Sequence, residues 1–140
     1  MQPLNCLTSL VFLFLTSPFL NGQVIPSKKV VFPPGKDSAS IRSSIKGDKI
    51  IDYKLTVQQG QVLSVKLKTN NGANYFNILP PGSNDVAIYN SSIDGNVYSG
   101  SPEKSGEYSI RVYLMRSAAR RNESANYTIS FSISAGKKPS

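Results

Sequence analysis

The stretch Ser105–Ser134 reads SGEYSIRVYLMRSAARRNESANYTISFSIS, and it joins two kinds of sequence. Its flanks alternate apolar and polar residues with the period of a β-strand. Tyr108, Ile110, Val112 and Leu114 fall on one face of the first flank. Tyr127, Ile129, Phe131 and Ile133 do the same in the second, separated by small polar residues. The segment between them, RSAARRNES, alternates nothing and carries three arginines. Two β-strands with a charged, non-strand connection is therefore the unit from which the rest is read.

The same period recurs upstream. IIDYKLTV places Ile51, Tyr53, Leu55 and Val57 on one face, the turn QQGQ follows, and Leu63, Val65 and Leu67 continue the pattern. Weaker strand signals lie near Val30, Ile41, Phe76 and Ile88, separated by the turns PPGK, IKGD, NNGAN, PPGSND and IDGN. Helical periodicity is almost absent. Many short strands at this spacing predict an all-β fold, an antiparallel β-sandwich of about seven to eight strands.

The start of the chain has a different composition. An apolar run from about Cys6 to Leu20 ends in small and polar residues, the shape of a secretory signal peptide cleaved after Gly22. Residues 1–22 are thus expected to be removed. A single sandwich domain is expected over residues 23–140, with a frayed tail over 132–140. No membrane span is expected to remain after cleavage. Cys6, the one cysteine, leaves with the peptide. An exported domain without disulfides fits a periplasm or secretion from a bacterium. Three sequons, at Asn90, Asn122 and Asn126, are read as chance.

Composition weighs against catalysis. The chain has no histidine, and its 8 acidic residues form no paired motif, so no enzyme, metal site or cofactor is expected. The 16 basic residues leave a net charge of +8, which suits an acidic partner. Export argues against nucleic acid.

Two features remain for binding. Ser105, Gly106 and Tyr108 form a tight turn into a strand. Gly106 supplies a backbone angle other residues avoid. Tyr108 has two readings, as the first core position of its strand or as a ring over the sandwich end with its hydroxyl in solvent. Arg116, Arg120 and Arg121 lie in a connection of about eight residues, longer than a hairpin needs. A helical turn there would order the guanidinium groups, whose planar fork pairs bidentately with a carboxylate.

The run SGEYSIRVYLMRSAARRNESANYTISFSI, with DYKLTVQQGQVLSVKL upstream, resembles the bacterial periplasmic inhibitors of goose-type (g-type) lysozyme. It is also similar to their relatives directed at invertebrate-type lysozyme. The resemblance spans roughly residues 32–133, and the upstream strand pair also resembles the prepeptidase C-terminal type of sandwich. What the resemblance implies is a monomer or weak homodimer that inhibits lysozyme by inserting the Ser-Gly-x-Tyr turn into its substrate cleft. Ser105, Gly106 and Tyr108 would be contact residues, with Arg116, Arg120 and Arg121 joining them from the loop. The rival reading is a non-catalytic carbohydrate- or envelope-binding sandwich. Such modules present aromatic platforms, whereas this chain has no tryptophan and puts most of its tyrosines on core faces.

Overall fold

The computed structural model describes residues 24–136. The expected signal peptide and its cleavage point after Gly22 lie outside the described residues, as does the tail from residue 137. In chain order the strands are β1 (Ser27–Lys29), β2 (Ser38–Lys46), β3 (Ile51–Val57), β4 (Gln61–Thr69) and β5 (Asn74–Leu79). They continue with β6 (Tyr89–Asn90), β7 (Val97–Gly100), β8 (Gly106–Leu114) and β9 (Ser124–Ala135). Two one-turn helices interrupt them, α1 (Ser91–Asp94) and α2 (Arg116–Arg120).

The strands form two sheets, ordered β1-β3-β8-β5-β6 and β2-β9-β4-β7. All pairings are antiparallel except β1 with β3. That is the predicted all-β sandwich. The extra strand over the expected number comes from short edge elements, including β7, which carries no alternation of its own.

Alternation in the sequence becomes the inner faces. In the first sheet Ile110 pairs between Tyr53 and Ile78, and Val112 between Ile51 and Phe76. In the second, Phe131 pairs between Ala39 and Val65, and Ile129 between Ile41 and Leu67. Tyr53 and Phe131 meet across the core with ring centroids 5.6 Å apart. The hydroxyls of Tyr53 and Tyr127 hydrogen-bond at 2.7 Å, tying one sheet to the other. Burial, and then Tyr127, push the Tyr53 hydroxyl far above the usual tyrosine range. Because Ile110 and Phe131 are fully packed, Ile110→Ala or Phe131→Ala should cost about 2–5 kcal/mol, measured by denaturant unfolding.

The connection after β8 now has a physical reason. β8 and β9 belong to different sheets, so their link crosses the roughly 10 Å between layers instead of closing a hairpin. Helix α2 fills that crossing. The strand that follows is longer than expected: β9 continues to Ala135, opposite Gln61, so Ser132–Ala135 are paired strand and not frayed tail.

Candidate functional site

The Ser105-Gly106-Glu107-Tyr108 turn sits at one end of the sandwich and is held by its own polar groups. The Ser105 hydroxyl oxygen accepts from the Gln59 amide at 2.7 Å, fastening the QQGQ turn to this loop. Gly106 has φ +147°, and a Cβ there would meet Pro81 Cγ at 2.7 Å. Only glycine satisfies both the angle and the close approach of the PPGSND loop. Tyr108 is 1% exposed. Its hydroxyl donates to the Lys104 carbonyl at 2.6 Å, the tyrosine-corner arrangement of sandwich folds.

Of its two readings, Tyr108 takes that of the first core position of its strand. Its ring stands opposite Leu55 in the neighbouring strand register, and its part-buried hydroxyl is satisfied within the domain. Burial also raises its hydroxyl above the ordinary tyrosine value. Tyr108→Phe should remove one satisfied hydrogen bond and cost about 1 kcal/mol of stability by thermal unfolding. It should leave partner binding unchanged.

The arginine segment lies at the opposite end. Helix α2 is held from below by Ala118, fully buried, and Ala119, packed on the core. Its C-terminus closes in a Schellman arrangement. The Asn122 amide donates to the Ala119 carbonyl at 3.0 Å and the Glu123 amide to the Ala118 carbonyl at 3.1 Å. Asn122 takes the left-handed conformation this requires, φ 56°. The Gly47 amide, from the β2–β3 turn, donates to the Glu123 carbonyl at 2.9 Å and docks that turn beside the helix.

The three arginines then separate by role. Arg121 Nε donates to the Glu123 carboxylate at 2.6 Å, and Asn71 Nδ2 donates to the same carboxylate at 3.1 Å. The Asn71 amide, then Arg121, hold the Glu123 carboxyl below its usual range. Arg121 is thus paired within its own loop, with its side chain still largely exposed. Arg116 and Arg120 are exposed, and neither forms an ion pair among the described residues. Four residues apart on one helix, they share a face. Arg116 borders a shallow pocket of about 390 Å³ with Asp48, Ile50, Tyr113 and Arg111.

The turn and the arginines are not brought together. They flank the two ends of the nine-residue strand β8, about 26 Å apart at 3.3 Å per residue. The α2 end offers two exposed guanidinium groups without an ion-pair partner among the described residues. At the turn, the Tyr108 hydroxyl already has an internal partner. Ser105 is exposed and only accepts from Gln59, so its hydroxyl proton stays free to donate.

Sequence reasoning missed one element between them. On the outer face of the first sheet Arg111 makes a bidentate pair with Asp52, Nε to Oδ1 at 2.8 Å and Nη2 to Oδ2 at 3.0 Å. Arg111 Nη1 also donates to the Asn84 carbonyl at 3.1 Å, so this residue anchors the PPGSND loop. Asp52 is only 6% exposed. The signal was present as opposite charges at outward positions of two strands, but their adjacency is a property of register.

No metal-binding cluster of acidic, histidine or cysteine side chains occurs among the described residues. None of the seven tyrosines is fully exposed; Tyr75 and Tyr113, adjacent on the outer face of the first sheet, are partly buried with ring centroids 6.5 Å apart.

No protein-family model matches the chain. It is 29% identical over 127 residues to the inhibitor of g-type lysozyme of Escherichia coli (strain K12), covering 89% of this chain and 91% of that protein. The prepeptidase C-terminal domain of a Bacillus anthracis collagenase superposes with a TM-score of 0.50 at 14% identity, over 77% of this chain and 92% of that domain, a likeness of fold alone. The crystal structure of Aeromonas hydrophila PliG, a periplasmic inhibitor of g-type lysozyme, superposes with a TM-score of 0.71 at 32% identity. That match covers 77% of this chain and 96% of PliG. With that identity held over nearly the whole of PliG, and with the same sandwich beneath it, the chain belongs to the PliG family.

Proposed function

We propose that this chain is a periplasmic inhibitor of g-type lysozyme, and that it engages the enzyme's substrate cleft through the α2 end. The observation that carries the reading is the pair Arg116 and Arg120. Both are exposed, unpaired among the described residues, and mounted on a helix whose buried alanines and capped terminus limit its movement. Preorganised guanidinium groups lose less entropy on docking than loop arginines would.

The chemistry fits a lysozyme. Such an enzyme needs a carboxylic acid kept protonated to donate to the leaving-group oxygen. A guanidinium placed against that acid favours its ionised form, and the proton needed for donation is lost. The helix end behind the arginine excludes substrate and water at the same time. Ser105 and Gly106 shape the opposite tip of the sandwich, where the exposed Ser105 hydroxyl keeps a proton to donate as a second contact. Arg121 holds the loop through Glu123.

The test is lysis of peptidoglycan by g-type, invertebrate-type and chicken-type lysozymes with and without the exported protein. The g-type enzyme should be inhibited. If none of the three is inhibited at micromolar concentration, the reading is wrong and the envelope-binding alternative takes its place.

A further inference from the structure

The charge of this protein is unevenly divided between its two sheets. The strands β2, β4, β7 and β9 contain four basic residues, Arg42, Lys46, Lys66 and Lys68, and no acidic one. All four are exposed. By contrast, the outer face of the other sheet sets Asp52 against Arg111 and Glu107 against Lys54. On the four-stranded face no cation has an ion-pair partner among the described residues.

Register arranges these charges. Arg42 and Lys68 stand opposite Thr128 on its two sides, about 10 Å apart. Lys66 follows Lys68 on the same face of β4, about 7 Å along. Beside them the pairing aligns a row of hydroxyls across the whole sheet: Ser38, Ser132, Ser64 and Ser99. Ser40 and Ser130 hydrogen-bond at 2.9 Å in the next row. The only large apolar side chain well exposed on these strands is Val97.

We propose that the outer face of the four-stranded sheet docks an extended anionic glycan. Positive charge without acid selects a polyanion. Hydroxyl rows spaced by the strand separation match a polymer that is itself rich in hydroxyls. The face lacks the bulky apolar groups that a bilayer-inserting surface needs and that the centre of a protein interface uses. Apart from Lys46, which stands opposite Ser124 beside α2, its residues lie away from the α2 end, so the proposal does not depend on the lysozyme reading.

The experiment is retention of the purified protein on immobilised polygalacturonate and on neutral dextran at physiological salt. Retention on the acidic polymer alone is expected. The variant R42S/K46S/K66S/K68S should bind it about tenfold more weakly or worse, since each exposed cation contributes a few tenths of a kcal/mol. The variant K28S/K29S/K36S/K104S, with the same net charge and exposed sites elsewhere, should stay near the parent. The milder K66S/K68S should fall between and guards against loss of folding, which the melting temperature reads separately.

Equal losses in the face and control variants would reduce the effect to net charge and overturn the proposal. So would equal retention on dextran, or no retention on either polymer. Tighter binding to anionic phospholipid vesicles or duplex DNA than to polygalacturonate would assign the face to another partner and likewise overturn it.

Discussion

Replacing both Arg116 and Arg120 with alanine is expected to weaken inhibition of g-type lysozyme by on the order of a hundredfold, with folding stability nearly unchanged. An arginine at the centre of an interface is commonly worth about 2 kcal/mol or more on truncation, about thirtyfold in affinity. The pair sits on one helix face, so the losses will not add in full. Stability should hold within about 0.5 kcal/mol, because both side chains are exposed and make no ion pair among the described residues. The measurement is an inhibition constant for each variant beside its melting temperature. Arg116→Lys and Arg120→Lys sharpen it, since lysine keeps the charge and loses the planar fork. If the fork matters, these variants should fall well short of the parent. Full inhibition by the double alanine variant in a stable fold would sink the α2 reading and move the contact to the opposite tip around Lys104.

The second large effect is on stability. Asp52→Ala should destabilise the domain by about 1–3 kcal/mol, because it removes two charge-assisted hydrogen bonds and leaves the partly buried Arg111 guanidinium without its counter-charge. Arg111 would keep its bond to the Asn84 carbonyl but lose both bonds to the carboxylate. The double variant Asp52→Ala with Arg111→Met should recover much of the loss, since no buried charge then remains. Denaturant unfolding of the two single variants and the double variant gives the coupling directly. A loss under about 1 kcal/mol for Asp52→Ala would mean that solvent reaches the pair, and that the PPGSND loop is held by Pro81 against Gly106 instead. Inhibition by the surviving folded fraction should be unchanged, because Asp52 lies on the sheet face and not on α2.

The sandwich was legible in the sequence because period-two alternation is a local property. Tyr53, Leu55, Ile110, Val112, Ile129 and Phe131 are core residues in the structure as the alternation placed them. The helical turn in RSAARRNES was legible for a similar reason: alanines flanked by arginines cannot continue a half-buried strand. The free arginines could be named from sequence, but not distinguished. Arg121 is spent on Glu123, while Arg116 and Arg120 are free, and that depends on the Schellman closure at Asn122.

What sequence could not provide was distance through space. Ser105–Tyr108 and Arg116–Arg121 lie close along the chain, yet strand β8 runs between them and extension carries them to opposite ends of the domain. The two readings of Tyr108 also needed the fold, because only the turn back to the Lys104 carbonyl decides which way its hydroxyl is satisfied. The same holds for the Asp52–Arg111 pair and for the acid-free face of the second sheet. Alternation tells each strand which residues turn inward. Only the register and order of strands from distant parts of the chain determine which outward charges become neighbours.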